Sequence, residues 1–181
     1  MKVEQTSLPG VLLLTAPVYQ DDRGYFFESF NLRRMSEAGL PANWAQDNFS
    51  HSRRNVLRGI HYQTIQPQGK LVSVAYGAVL DVAVDLRKSS PGFGRHVAVE
   101  LSGGSGRLLW IPEGFGHAFL VLSESAGFAY KVTDYYSAAG ERTIAWNDPD
   151  LAIPWPVKAE DVIVSAKDRA GSPLRDAEVF A

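Results

Sequence analysis

Cysteine is absent from the sequence. Disulfide cross-links and thiolate metal sites are therefore excluded, and packing and hydrogen bonds must hold the fold. A cysteine-free chain fits the cytoplasm. Positive charge is not in excess either: 18 Lys and Arg stand against 20 Asp and Glu, a formal net charge of −2. Nucleic-acid binders carry a basic surface, so nucleic acid is not expected as a partner, although one basic pocket for a phosphate is compatible with this balance. No apolar run approaches the ~20 residues that span a bilayer. The opening stretch, MKVEQTSLPGVLLL, lacks the long apolar region and small-residue cleavage site of a signal peptide. A membrane partner is thus not expected. Repeats, low-complexity tracts and linkers are missing too. What remains is 181 residues, 45% hydrophobic, enough for one domain spanning 1–181 with a good core.

The strongest signals are short strands. GVLLLTAPVYQ and YFFESF are extended on either side of a DDRG turn. KLVSVAYGAVLDVAVDLR reads as two strands broken at Gly77. RHVAVELS, RLLWIP, HAFLVLSES, GFAYKVTDYYS and RTIAWND follow, separated by SSPGFG and GGSG turns. NLRRMSEAGL is the one convincing early helix, with Asn31 as N-cap and Gly39 as its stop. The tail, AKDRAGSPLRDAEVF, reads as loop and then weakly helical. Many short strands with Gly- and Pro-rich turns predict an all-β sandwich or barrel. GRLLWIPEGFGH narrows this, because Gly106, Pro112, Gly114 and His117 stand in the order G-x5-P-x-G-x-x-H. That spacing is similar to the second signature of the cupins. The resemblance implies an all-β cupin-type jelly roll (double-stranded β-helix) with a few short peripheral helices.

The chemistry concentrates in NVLRGIHYQ and the QGK that follows it. Strand alternation puts Arg58, Ile60 and Tyr62 on one face and Gly59, His61 and Gln63 on the other. His61 and His117 would both line a cupin lumen. A catalytic metal normally takes three protein ligands. Gln63 stands two residues past His61, and no glutamate follows nearby. A metal is not expected. Acid–base work suits a histidine, and Arg58 and Lys70 beside it suit an anionic substrate. Alone, His61 would be a satisfied core histidine, and the two cations would lie on an exposed face. Asp81 and Asp85 share a face with Ala83; Asp81 either buttresses a histidine or faces solvent. Tyr130 shares a face with Phe128 and Val132 and is either a proton donor or a core aromatic. Tyr135 and Tyr136 offer rings for stacking or for the core. His51 and His96 have no supporting neighbours and are taken as structural.

RGIHYQ, QGKLV, GAVLDVAVDLR, WIPEGFGHAF, YKVTDYYS and SAKD occur in this order. Together they resemble the dTDP-4-dehydrorhamnose 3,5-epimerase family from DDRGYFFESFN to SAKDRAGSPL. The resemblance implies His61 as general base with Asp168 as its partner, Tyr130 as general acid, and Lys70 near the keto oxygen. It implies a diphosphate contact for Arg58 and polar active-site positions for Asp81 and His117. Substrate contacts are implied for Gln46, Asn48, Tyr136 and Lys167. Arg23, Phe26 and Glu28 fall on nucleotide contacts that the family lends to the neighbouring subunit, which implies a homodimer with an exchanged N-terminal segment. One departure is Ala118, where glycine is usual after the histidine. The implied reaction inverts C3 and C5 of a dTDP-4-keto-6-deoxy sugar through an enolate, without metal or cofactor, in dTDP-L-rhamnose biosynthesis. Two alternatives share these motifs: a 3- or 5-monoepimerase, and a non-catalytic cupin that binds a sugar nucleotide.

Overall fold

Glycine and proline turns cut the apolar runs into thirteen strands and leave room for only two short α-helices. The computed structural model describes residues 1–181. Strands β1 (Lys2–Gln5), β2 (Leu12–Thr15), β3 (Tyr19–Asp21) and β4 (Gly24–Phe26) precede helix α1 (Leu32–Glu37). Strands β5 (Gln46–Arg53), β6 (Leu57–Gln63), β7 (Lys70–Tyr76) and β8 (Ala78–Asp85) follow. Then come β9 (His96–Ser102), β10 (Arg107–Ile111), β11 (Phe115–Val121), β12 (Ser125–Val132) and β13 (Glu141–Thr143). The rest is irregular apart from helix α2 (Ala166–Arg169) and two 3₁₀ turns, Ala159–Asp161 and Leu174–Asp176.

The strands form a six-stranded sheet, β1-β2-β10-β7-β12-β5, facing a five-stranded sheet, β13-β6-β11-β8-β9. Every ladder is antiparallel. This is the cupin-type jelly roll that the P-x-G-x-x-H spacing implies. Between the sheets, Val72, Val74, Leu109 and Phe128 meet Val79, Ala83, Phe119 and Val121. Both outer faces are clad as well. Helix α1 inserts Met35 over Leu14, Leu71, Leu108 and Trp110. On the other side the C-terminal segment lays Leu151 and Leu174 over Ile60, Val82, Val84 and Ala118. Strands covered on both faces cannot show a polar–apolar alternation, and β11 is buried throughout its length.

Asn31 caps α1 as expected, its side-chain oxygen accepting from the Arg34 amide at 3.2 Å. The break between β7 and β8 falls at Gly77, with φ +77°. Two strand expectations need correction, and one strand was not anticipated. YFFESF is strand only as far as Phe26, and RTIAWND only over Glu141–Thr143. QDNFSHSR, by contrast, is a full strand, β5. Its inward row, Gln46, Asn48, Ser50 and Ser52, is as polar as its outward row apart from Phe49, so no hydrophobic period marks it.

The alternation expected in β6 also fails. His61 opposes His117, but Arg58 rather than Gly59 opposes Phe119. One extra residue at Gly59, with φ +127°, turns Arg58 to the side of His61, while Ile60 and Tyr62 pack outward. A Cβ at Gly59 would lie 2.4 Å from that of Ala118, so only glycine fits there.

Candidate active site

The lumen between the sheets opens as a cavity of about 260 Å³. The five-stranded sheet contributes Arg58 and His61 from β6, His117 from β11 and Glu141 from β13. The six-stranded sheet contributes Lys70 from β7 and Tyr130 from β12 on the facing wall. Phe119 and Phe128 stack with centroids 4.1 Å apart and form the apolar floor. Such a mixture of cations, a phenol and imidazoles is costly in a core and suits a polar ligand.

Behind His61 stands Asp168. Its carboxylate Oδ1 hydrogen-bonds His61 Nε2. Ser165 caps the short α2 by accepting from the Asp168 amide at 3.1 Å, which fixes the carboxylate's place. Burial pushes the Asp168 carboxyl up, but hydrogen bonds from His61 and Ser165 and the charges of His61 and Lys167 outweigh it and hold it below the usual range. An ionised carboxylate only accepts. Nε2 therefore carries the proton, and Nδ1 has the free lone pair.

A second pair lies deeper. His117 Nε2 donates to Asp81 Oδ1 at 2.7 Å, and both residues are buried. Burial pushes the His117 imidazole down more than Asp81 raises it, which keeps it neutral. The other Asp81 oxygen, Oδ2, is buried with no partner. Lys70 is buried too, and donates to the His61 carbonyl at 3.3 Å. Burial pulls its ammonium down to about 8, with the Asp81 and Glu141 charges resisting. Burial also raises the Tyr130 phenol, partly countered by Arg58, so it stays protonated at neutral pH. With each imidazole held by its own carboxylate, no three histidine or acidic groups converge as a metal set.

The mouth carries a polar network that includes one residue the motifs did not reveal. Glu141 accepts from Lys167 Nζ at 2.5 Å and from the Tyr136 hydroxyl at 3.1 Å. Burial opposes ionisation of Glu141, but Lys167 and Tyr136 win and hold it below the usual range. Glu141 sits in GERT, a stretch with no distinctive spacing, and only pairing with β6 brings it to the cavity. Arg58 Nε donates to Ser52 at 3.0 Å. Arg58 and His61 also border a second hollow of about 390 Å³ toward the 163–168 segment. Gln46 and Asn48 hydrogen-bond each other at 2.7 Å on β5, and Gln46 accepts from the Tyr136 amide at 3.3 Å.

Three expected contacts lie elsewhere within the chain. Arg23 and Phe26 sit on the β3–β4 hairpin, which pairs with neither main sheet. Arg23 is engaged by Asp21, and Phe26 is 70% exposed. Glu28 pairs with Arg34 at 3.1 Å. Of the two histidines taken as structural, His51 bonds the Tyr76 hydroxyl at 2.6 Å on the outside of the six-stranded sheet, and His96 begins β9.

A jelly-roll barrel whose lumen sets a carboxylate-backed histidine across from a lysine and a tyrosine defines a cupin-type protein with an acid–base pocket. Comparison with known proteins gives the particular kind. A family model described as dTDP-4-dehydrorhamnose 3,5-epimerase matches residues 5–176. The dTDP-4-dehydrorhamnose 3,5-epimerase of Pseudomonas aeruginosa is 51% identical, with 99% of each chain covered. A dTDP-6-deoxy-D-glucose-3,5-epimerase from Legionella pneumophila, solved with dTDP-4-keto-L-rhamnose, superposes with a TM-score of 0.94 at 48% identity, covering 98% of this chain and 94% of that one. A 3′-monoepimerase from Streptomyces bikiniensis, solved as a double mutant with dTDP, gives 0.87 at 32% identity, covering 94% and 86%. The chain belongs to the dTDP-4-dehydrorhamnose 3,5-epimerase family.

Proposed function

We propose that the protein epimerises dTDP-4-dehydro-6-deoxy-D-glucose at C3 and C5, giving dTDP-4-dehydro-L-rhamnose for dTDP-L-rhamnose biosynthesis in the cytoplasm. One observation carries the reading: His61 and Tyr130 project into the same cavity from opposite sheets, with Lys70 beside them. The C3 and C5 protons are both α to the C4 carbonyl. His61 Nδ1 takes one of them, and the electron pair moves onto O4 as an enolate. The Lys70 ammonium stabilises that oxygen, and the negative Asp168 stabilises the imidazolium. Tyr130 then delivers its hydroxyl proton to the carbon from the opposite side, which inverts it. The phenolate and imidazolium return to their starting states by exchange with solvent, and the cycle repeats at the other carbon. Nothing in this sequence calls for a metal or redox cofactor. Activity is expected to survive exhaustive chelation, and loss restored by a divalent ion would overturn this account.

Incubation with the substrate in D₂O tests the reading directly. Both C3 and C5 should gain deuterium with inversion. Deuterium at one carbon only would support a monoepimerase, which the similarity to the 3′-monoepimerase keeps in view. No exchange with retained binding would mark a non-catalytic cupin.

The proposal includes a homodimer of single-domain subunits in which the β3–β4 hairpin crosses to the partner. Arg23, Phe26 and Glu28 would then meet the nucleotide in the partner's site, with Arg58 and Lys167 toward the diphosphate. Tyr19, Tyr25 and Phe26 on this hairpin are each more than half exposed, and β5 leaves a free sheet edge. An isolated protein rarely tolerates both. Light scattering should give twice the 19.9 kDa chain mass. A fully active monomer would exclude the exchange.

A further inference from the structure

Ser50 is an inward residue of β5 that no step above uses. It lines the central cavity with His61, Lys70 and Tyr130. In register it pairs with Phe128, one inward position from the Asn48–Tyr130 pair, so it lies beside the phenol on the same wall. Its hydroxyl is shielded from solvent and has no hydrogen-bond partner. The next inward serine differs, because Ser52 accepts from Arg58 at 3.0 Å. A buried hydroxyl without a partner is a cost that folded proteins rarely carry without reason. Ser50 borders the cavity next to Phe128 of the apolar floor, and its hydroxyl would reach the lumen by rotation about a single side-chain torsion.

We infer that Ser50 is a specificity-determining residue whose hydroxyl bonds the C2 hydroxyl of the bound sugar. The inference rests on the substrate class proposed above. Three ring substituents could meet a group on this wall. The C4 oxygen is already taken by Lys70. The C3 hydroxyl swings to the other side of the ring when C3 inverts, so one fixed donor cannot hold it in both substrate and product. The C2 hydroxyl keeps its configuration throughout. A contact there holds the ring in place at every stage and discriminates against sugars that lack the group, because an unfilled site leaves the serine unpaired.

The test pairs one protein change with one substrate change. Ser50→Ala and the wild type are assayed on the parent compound and on its 2-deoxy analogue, dTDP-4-keto-2,6-dideoxyglucose. On the parent, Ser50→Ala should lose roughly two- to twelve-fold in kcat/KM, the usual worth of one neutral hydrogen bond. On the 2-deoxy analogue the variant and the wild type should be equal. Thermal stability should be unchanged or slightly raised, since no protein partner is lost. An equal loss on both substrates, or no loss on the parent, overturns the inference. If the wild type turned over neither compound, the substrate assignment itself would fall, and the inference with it.

Discussion

The two His–Asp pairs contain the same groups and do different work. His61–Asp168 joins β6 to the irregular C-terminal segment, 107 residues apart, and its histidine side chain is 29% exposed. His117–Asp81 joins the adjacent strands β11 and β8; its histidine side chain is 9% exposed and its aspartate fully buried. A base must reach its substrate and shed its proton, and only the first pair is open enough to do both. The deeper pair is held neutral at the imidazole by burial, and it places a negative charge beneath Lys70. Environment, rather than residue type, assigns the roles.

Substitutions should separate the pairs, and the largest effect belongs to His61. His61→Ala is expected to abolish inversion and deuterium exchange together, a loss of about 10⁴-fold, measured by NMR in D₂O. Residual exchange at the normal rate would transfer the base role to another group, with His117 the first to examine. Asp168→Asn should cost somewhat less, about 10³-fold in both processes, because shape is kept and the charge behind the imidazolium is lost. Tyr130→Phe should split them. Exchange continues through the intact base, while inversion falls by about 10²–10³-fold. Unimpaired inversion at both carbons would mean that a water or another residue is the acid.

The deeper pair should respond in stability instead. Asp81→Ala strands the His117 donor in the core, at about 1–3 kcal/mol, a Tm drop of roughly 3–10 °C by calorimetry. Asp168→Asn keeps a hydrogen-bonding group of the same shape at a site that is also buried, so it should move Tm far less. If the two variants shift Tm equally, the contrast between a working pair and a supporting pair does not hold.

The smallest effect concerns pH and reads the deeper pair through Lys70. The ammonium is the active form, and burial lowers its value from the ordinary 10.5 to about 8. kcat should therefore fall as pH rises through about 8. Stability should respond in the opposite sense. Between about 8 and 10.5 the unfolded chain holds this proton more tightly than the folded one, so raising the pH through that window favours folding at this group. Asp81→Asn removes the negative charge that supports the ammonium, and the basic limb of kcat should move to lower pH. A limb that stays in place would remove Asp81 from the electrostatics of the site.

The chain's own letters determined the all-β class, the turns, helix α1 and the cluster of Arg58, His61 and Lys70, because those signals are local: period, punctuation and spacing. Ordered motifs named Asp168 and Tyr130 by resemblance, which no spacing argument supplies. Tertiary structure decided the rest. The polar edge strand β5 carries no hydrophobic period, so only its pairing with β12 reveals that Ser50 faces the cavity. Arg58 joins His61 because Gly59 adds a residue to one strand against β11, a shift invisible to strict alternation. Glu141 reaches the mouth through the β13–β6 ladder. In each case the deciding contact links residues far apart in sequence, and such contacts are set by how two sheets pack rather than by any short stretch of chain.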